Sequence, residues 1–189
     1  MRFFIALEIP KQNLLQFQAI QDKLRTLIPQ ARLTDLSKIH LTLAFLGEQP
    51  NELKDKLIDI IKKASFQIPP FEITPAYIDG FPSLHKPFVL WIGVKGDIDK
   101  LFLIAERIKD ELEYLHLSVN ERRFVPHISI AKLKNNFRID RNLEEKLEKI
   151  AAGNFHPIKI TDIKLFESAL DGGLHKHNTL AEIHLGISI

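Results

Sequence analysis

The amino-acid sequence predicts an α+β fold made of two similar lobes related by a pseudo-two-fold axis. Short apolar runs that end at proline or glycine alternate along the chain with amphipathic helical stretches. The order of these elements in residues 1–87 returns in residues 88–189, and each half contains one strand with a histidine followed two residues later by a hydroxyl residue. A chain of 189 residues can hold one domain or two tightly joined lobes. We therefore predict a single bilobal domain over residues 1–189.

The first half is predicted to run strand, helix, strand, helix, strand. An apolar run that ends at Pro10 has the length of a buried strand. The first helix carries an apolar stripe with the helical period and stops at Pro29. The predicted elements are strands at residues 3–9, 39–47 and 71–78, helices at residues 11–28 and 51–64, and a surface loop rich in Gly, Pro and Ser at residues 79–87.

The second half repeats this order and adds a closing strand. Asp97 is predicted to cap its first helix, and Asp171-Gly172-Gly173 is predicted to form the turn between the last two strands. The predicted elements are strands at residues 89–94, 124–132, 158–168 and 179–187, and helices at residues 98–115 and 139–150.

A fixed offset of 87 residues superimposes the two halves. One matched pair of histidines could arise by chance, but here strand, helix and strand agree in the same order, with the second helices slipped by one residue. Such agreement indicates an internal duplication. The matched segments are His40 with His127, Thr42 with Ser129, Phe4 with Trp91, and residues 70–74 with residues 157–161.

The two histidine strands carry the candidate site. Alternate residues of a strand point to opposite faces, so each histidine is predicted to share a face with a hydroxyl and a small residue. A single histidine of this kind is more often a half-buried ring that binds a backbone carbonyl. The pair within a repeated frame favours a site in which the two strands face each other across a cleft. The predicted faces are His40, Thr42 and Ala44 on one strand, and His127, Ser129 and Ala131 on the other.

The composition of the chain excludes several kinds of binding and catalytic chemistry. The formal net charge of +2 is lower than expected for a protein that binds nucleic acid mainly through a dense basic stripe. The absence of cysteine excludes disulfides, thiolate nucleophiles and cysteine zinc sites. No stretch approaches the roughly 20 apolar residues of a membrane span, and a cytoplasmic protein is the expectation.

Two facing imidazoles can act as a general base and a general acid at once. The unperturbed pKa of histidine, about 6.5, allows one ring to be neutral while another is protonated near pH 7. A phosphodiester is the natural substrate, because one ring can take a proton from water while the other protonates the departing oxygen. Thr42 and Ser129 could bind the non-bridging oxygens. This chemistry needs no metal, and no familiar metal-ligand spacing is present.

Two motifs resemble the paired His-x-Thr/Ser signatures of the 2H phosphoesterase superfamily. They are the stretches around His40 (HLTLAFLG) and around His127 (RFVPHISIAK). The similarity is greatest to the RNA 2′,3′-cyclic phosphodiesterase family, formerly called 2′-5′ RNA ligases. The start of the chain, MRFFIAL, and the late segment LFES resemble that family as well. The resemblance therefore covers nearly the whole chain.

The resemblance implies a bilobal, LigT-like fold of antiparallel sheet with outer helices around a central groove. It also implies hydrolysis of a 2′,3′-cyclic phosphate to a 2′-phosphate. By the same resemblance His40 is the proton donor and His127 the proton acceptor; the two motifs are too symmetric to assign these roles from the residues. Three positions depart from the family pattern: Ser129 stands where Thr is common, Lys132 where Arg is frequent, and His177 where an aromatic is often found.

Further candidates for substrate binding are Arg123, Phe124 and Lys132. Arg123 is interpreted as a contact to phosphate or RNA, with a solvated surface charge as the alternative, and Arg122 beside it could play either part. Phe124 is a candidate for stacking on a base, although most phenylalanines here are expected in the core. His177, with His175, is interpreted as part of an exposed loop rather than a metal pair.

The expected partner is RNA or a nucleotide that ends in a 2′,3′-cyclic phosphate, bound by a monomer without a cofactor and without a membrane. Other activities remain open. The same site could act on a 2′-5′ oligonucleotide or an ADP-ribose cyclic phosphate, or could catalyse reversible 2′-5′ ligation. A different class, an RNA-end binding module without turnover, would use the same groove and release no product.

Overall fold

The structure is a computed structural model that describes residues 1–117, 123–171 and 174–186. Within these residues the chain forms nine strands and four α-helices. The strands are β1 (Arg2–Glu8), β2 (Arg32–Leu33), β3 (His40–Glu48), β4 (Phe71–Phe81), β5 (Val89–Gly96), β6 (His127–Lys132), β7 (Ile158–Ile160), β8 (Asp162–Asp171) and β9 (Leu174–His184). The helices are α1 (Leu14–Leu27), α2 (Lys54–Ser65), α3 (Ile98–Tyr114) and α4 (Arg141–Ala151). Among the helices described, none is both long and apolar enough to cross a membrane.

All the strands belong to one curled antiparallel sheet with the order β7-β4-β5-β6-β3-β1-β8-β9, and β2 pairs with β6 beside this path. The two histidine strands, β3 and β6, are neighbours at its centre. On either side of that centre the strand order is matched, with β5 corresponding to β1 and β4 to β8. The predicted α+β fold, with lobes of antiparallel sheet and outer helices, is confirmed.

The two halves of the sheet exchange a strand. β4 comes from the first half of the chain but pairs with β5, and β8 comes from the second half but pairs with β1. Each half of the sheet therefore contains segments from both residues 1–87 and residues 88–189. This strand exchange joins the two lobes into one sheet. It supports the prediction that the chain is one duplicated domain, which stays a prediction.

The helices cover one face of the sheet and leave the other open. Apolar residues from all four helices join the inward residues of the central strands in one large core. A second, small cluster lies on the opposite face of the sheet. The open face is therefore the place where a site can form. The small cluster consists of Phe4, Ala6 and Phe166.

A buried glutamine fastens α1 to the sheet. The Gln21 amide donates to the carbonyl of Thr34 at 2.6 Å and to the carbonyl of Ile130 at 3.0 Å. Gln21 is 4 % exposed, and a buried amide needs such partners. Its two bonds position the β2 connection and β6 relative to α1.

Several predicted boundaries are corrected by pairing across strands. Residues 79–81 were predicted in a loop but extend β4, because they pair with residues 89–91 of β5. β9 begins at Leu174, five residues before its predicted start, because its long pairing with β8 covers that stretch. Asp97 precedes α3 as predicted, yet its carboxylate accepts the backbone N–H of Glu72 at 3.0 Å instead of capping the helix. Gly172, Gly173 and Ile187 lie outside the described residues.

Candidate active site

The two histidine strands are hydrogen-bonded neighbours, paired at Leu41 and Ile128. Continuing this antiparallel register by one residue in each direction sets His40 opposite Ser129, and Thr42 opposite His127. The four side chains lie on the open face of one sheet, with the imidazoles on a diagonal. The prediction that the strands face each other across a cleft is therefore wrong in detail: they lie side by side where the two halves of the sheet meet.

A β-bulge in each histidine strand changes which residues share the histidine face. Ile5 pairs with Ala44 and Ala6 with Thr42, so Leu43 is the extra residue. The bulge moves Ala44 to the core face and Phe45 to the open face. The predicted alternation of His40, Thr42 and Ala44 is wrong at Ala44, which is 5 % exposed.

The second strand repeats this bulge. Leu90 pairs with Ala131 and Trp91 with Ser129, so one residue of β6 is again unpaired. Ala131 is fully buried in the core instead of sharing the face of His127 as predicted. Lys132 is the counterpart of Phe45, and the bulge brings it to the open face, where it is exposed. The site symmetry thus includes the irregularities of the strands as well as their sequences.

Each imidazole is held by the backbone two residues earlier in the chain. His40 Nδ1 lies 2.7 Å from the carbonyl oxygen of Lys38, and His127 Nδ1 lies 2.7 Å from that of Val125. Because a carbonyl oxygen only accepts, Nδ1 of each ring carries the hydrogen. In both histidines Nε2 is the nitrogen left to exchange a proton with a ligand.

Aromatic side chains pack around His40. Its ring lies 5.1 Å from that of Phe4 and 6.5 Å from that of Phe166. His177 approaches from β9 with its ring 5.4 Å from His40, edge-on. His177 therefore belongs to the site wall, and its placement in an exposed loop was wrong. The side chain of His175 lies outside the described residues.

His127 has a matching aromatic wall on the other half of the sheet. Phe81 lies edge-on at 4.9 Å and Trp91 at 5.8 Å from its ring. Tyr77 adds an edge contact to Trp91 at 5.7 Å. A Cβ on Gly93 would lie 2.1 Å from the Tyr77 ring, so only glycine lets that ring rest there. These contacts fix the position of the imidazole from two sides.

Burial lowers the pKa of both histidines. For His40 desolvation is the main cause, the bond to the Lys38 carbonyl opposes it, and the nearby charge of His127 lowers the pKa further. For His127 desolvation is again the main cause, opposed by the bond to Val125. The neutral form of each ring is favoured in the free protein, and the closeness of the rings disfavours two protonated histidines at once.

The hydroxyls of Thr42 and Ser129 point to the open face beside the imidazoles. Both residues are half-buried. Among the described residues, neither hydroxyl is engaged in a hydrogen bond with another protein group. The arrangement therefore offers two imidazole Nε2 atoms and two hydroxyls to a ligand that lies over the two strands on the open face of the sheet.

A cavity of about 660 Å³ adjoins the site, and Thr42 and His127 are part of its wall. Arg123 and Phe124, the first two candidates for substrate binding, line the same cavity. Lys132 lies at the far end of β6, opposite Val89 and Arg32, and is not part of that wall. Arg122 lies outside the described residues. The structure thus brings two of the three candidates next to the histidine pair.

The aromatic walls were not recognised from the sequence as part of the site. Phe4 and Trp91 are separated by 87 residues, the same offset as the two histidines. That shared offset could have indicated their role, because a duplicated site also duplicates the side chains that pack against its histidines. Phe81 and Phe166 gave no such signal: each reaches its histidine only through the strand exchange.

One group of potential metal ligands occurs in the part of the chain that the structure describes: Asp162, Glu182 and His184, within 4.8 Å of one another. Lys164 pairs with Glu182 at 3.0 Å and also with Glu8, and His184 contacts Asp162. These ion pairs explain why the three side chains lie close together without a metal. None of its members touches the paired histidines in the contacts described.

A curled antiparallel sheet that presents two histidines related by a pseudo-two-fold axis on its open face is the architecture expected of a 2H phosphoesterase. Residues 34–165 match the profile of the 2′-5′ RNA ligase superfamily. The chain belongs to this superfamily, which confirms the resemblance of the two motifs.

Individual proteins agree with this assignment. The chain is 30% identical over 175 residues to an RNA 2′,3′-cyclic phosphodiesterase of Methanocaldococcus jannaschii, covering 90% of this chain and 92% of the relative. Among solved structures, TT0787 of Thermus thermophilus aligns with a TM-score of 0.76 at 21% identity over 98% of each chain. Escherichia coli LigT complexed with 3′-AMP aligns with a TM-score of 0.74 at 20% identity, again over 98% of each chain. The two structural similarities confirm the LigT-like fold.

Proposed function

We propose that the protein is an RNA 2′,3′-cyclic phosphodiesterase that opens the cyclic phosphate by two-histidine acid–base catalysis. The observation that carries the proposal is the matched anchoring of His40 and His127, each with Nδ1 at 2.7 Å from a backbone carbonyl. This anchoring leaves both Nε2 atoms for proton transfer at one place. The relative in Methanocaldococcus jannaschii, which covers nearly the whole chain, carries the same activity in its name.

In the proposed reaction His127 accepts a proton from water while the water oxygen forms a bond to phosphorus. The bond from phosphorus to O3′ breaks, and His40 donates a proton to the departing O3′. The products are a 2′-phosphate and a free 3′-hydroxyl, and exchange with solvent restores both imidazoles. Each proton transfer contributes roughly 10²- to 10⁴-fold. The acid and base roles follow the family resemblance, since the two environments are nearly equivalent.

The lowered pKa values suit this cycle. A neutral His127 is ready to act as a base, and the anionic phosphodiester favours the protonated form of His40 when it lies beside that ring. Thr42 and Ser129 would donate to the two non-bridging oxygens and hold the phosphorus between the imidazoles. The imidazoles supply both proton transfers, and the proposed mechanism uses no metal or other cofactor.

Substrate binding is proposed for Arg123, Phe124 and Lys132. The position of Arg123 in the cavity beside His127 supports a contact to the RNA backbone. Phe124 lines the same cavity and could stack on a base. Lys132 emerges from β6 beyond Ser129, where its charge could attract the next phosphate. We also propose that the enzyme acts as a monomer in the cytoplasm; light scattering in solution would test the first of these statements.

Product analysis tests the function. An oligoribonucleotide with a 2′,3′-cyclic phosphate is incubated with the protein, and the terminal 2′- and 3′-phosphates are resolved by chromatography. The proposal expects the 2′-phosphate alone. A 3′-phosphate product would overturn the assigned leaving group, and binding of the RNA end without turnover would leave a binding module.

The same experiment separates the other activities. Addition of an RNA with a free 5′-hydroxyl would reveal 2′-5′ ligation as a longer product. Parallel reactions with a 2′-5′ oligoadenylate and an ADP-ribose cyclic phosphate would show whether the site prefers another diester. The proposal expects the cyclic RNA end to be hydrolysed with the highest kcat/KM.

A further inference from the structure

A β-bulge in β4 turns Tyr77 to the open face of the sheet. Pro75 pairs with Val94, and Tyr77 pairs with Gly93. Ala76 is therefore the extra residue of β4. Without this bulge, the two-residue period that places Pro75 in the core would place Tyr77 there as well. Tyr77 is instead 45% exposed, and bulges beside active sites redirect side chains in this way.

The far end of the Tyr77 ring rests on Gly93, its partner in β5. A Cβ on Gly93 would lie 2.1 Å from Cζ of the ring and 2.3 and 2.5 Å from the two adjacent Cε carbons. A glycine within a strand often marks such a close approach. The side chain therefore spans the distance from β4 to β5. Because the hydroxyl is bonded to Cζ, it extends past this end of the ring towards β6.

Tyr77, Gly93 and His127 form one row across the open face. Gly93 pairs with His127 in β6, and Thr42 of β3 lies opposite His127 on its other side. His127 thus stands between two hydroxyl residues, with Thr42 on the strand of His40 and Tyr77 on the side away from it. In the described part of the chain, the Tyr77 hydroxyl has no hydrogen bond to another protein group. It is therefore available to a water or ligand beside the imidazole.

The outer neighbour of His40 is a different kind of residue. Glu8 of β1 pairs with His40, and its carboxylate forms an ion pair with Lys164 of β8. Both histidines have aromatic walls, but a carboxylate bound by a lysine flanks His40, while an unbound hydroxyl flanks His127. The hydroxyl therefore stands beside the histidine that is assigned the role of base.

The proposed reaction needs a water at this end of the site. In-line displacement places the attacking oxygen opposite the departing O3′, so with His40 beside O3′ the water lies beside His127. Thr42 and Ser129 are assigned to the two non-bridging oxygens. A water that gives one hydrogen to His127 and directs a lone pair at phosphorus still carries a second hydrogen, which a phenol oxygen can accept.

We propose that the Tyr77 hydroxyl binds the attacking water and orients it between His127 and the phosphorus. This inference rests on the proposed function, because it takes the phosphate to lie between the two imidazoles. Tyr77 keeps its own proton: His127 still receives the proton of the water, and the bonds that form and break are unchanged. The hydroxyl contributes by positioning the water. Its loss should therefore slow the chemical step and leave the affinity for the nucleotide unchanged.

The test removes the hydroxyl and keeps the ring. Tyr77→Phe retains the ring on Gly93 and its edge contact to Trp91, so a purely structural role predicts no change in rate. In hydrolysis of adenosine 2′,3′-cyclic phosphate, kcat should fall roughly 3- to 10-fold, as expected for one lost hydrogen bond, and KM should stay within about twofold of wild type. Tyr114→Phe is the matched control, because the second tyrosine is 81% exposed at the end of α3, and its kcat should be unchanged.

Gly93→Ala displaces the hydroxyl without removing it, because the new Cβ would occupy the place of the ring. In the Gly93→Ala background, Tyr77→Phe should therefore change kcat less than about twofold. An equal loss from Tyr77→Phe in both backgrounds would contradict a hydroxyl that acts from its position over Gly93.

A folded Tyr77→Phe protein with the kcat of wild type would overturn the water site. A raised KM with unchanged kcat would overturn it as well, since the hydroxyl would then bind the diester instead of the water. Circular dichroism and thermal unfolding show whether each variant is folded, and Tyr77→Phe alone decides the question if Gly93→Ala is not. A wild-type protein without hydrolysis would refute the proposed function, whereas an active wild type with an equally active Tyr77→Phe refutes the water site only.

Discussion

Replacing Thr42 by valine removes a hydroxyl and keeps the shape of the side chain. Thr42 lies on the open face of β3, and by the register of Leu41 with Ile128 it stands opposite His127. Its hydroxyl has no hydrogen bond to another group in the described part of the chain. Folding should therefore tolerate the change, while a hydrogen bond to the reacting phosphate is lost.

The size of the effect follows from the chemistry of that bond. A hydrogen bond to a charged group is worth about 1.5 to 3 kcal/mol. Since about 1.4 kcal/mol corresponds to a factor of ten in rate, kcat/KM should fall roughly 10- to 150-fold. Ser129→Ala should cause a similar loss. If the two hydroxyls bind different oxygens, the double variant should show about the product of the single losses.

The assay is hydrolysis of adenosine 2′,3′-cyclic phosphate at neutral pH, with thermal unfolding measured on the same samples. Thr74→Val is the control: it makes the same change on a strand, at a position that pairs with Lys95 and lies at the opposite end of β4 from Phe81. The control should keep its activity. A Thr42→Val enzyme as active as wild type would refute a contact between this hydroxyl and the reacting phosphate.

Three further outcomes are expected. Burial lowers the pKa of His40 and His127, so the unfolded chain takes up protons at these residues as the pH falls through about 6.5, before the folded chain does. Thermal stability should therefore fall as the pH drops through that value, and it should fall less in His40→Gln. Gln21→Leu should cost about 1 to 3 kcal/mol in urea unfolding, because the Thr34 carbonyl loses the Gln21 donor and the Ile130 carbonyl keeps only the Thr34 N–H. Gln18→Leu on the exposed side of α1 should cost little. EDTA should leave the rate of hydrolysis unchanged; a rate restored by added metal would contradict the mechanism.

The repeat in the sequence predicted the two central histidines, because the strands that carry them can be recognised from local patterns of residues. His40 and His127 stand in strands whose apolar residues alternate, and the offset of 87 residues pairs them. The same pattern misplaced Ala44 and Ala131, since a bulge depends on pairing with a neighbouring strand. Period-two alternation within one strand carries no information about that pairing.

Contacts between strands distant in the sequence position the site residues that could not be predicted from the sequence. His177 reaches His40 only because β9 pairs with β8, and β8 in turn pairs with β1. Phe81 reaches His127 because β4 crosses to the other half of the sheet. Strand exchange of this kind follows from the whole topology, so residues near the end of β4 read locally as a loop rich in glycine and proline.

Single-turnover hydrolysis of a 2′,3′-cyclic phosphate by His40→Ala and His127→Ala tests whether the two histidines act as one catalytic unit. With folding verified by circular dichroism, each variant should lose roughly 10²-fold or more in rate. The double variant should lose little beyond the worse single variant, because the residues work as a unit. Near wild-type turnover in either single variant would contradict a shared catalytic role of His40 and His127.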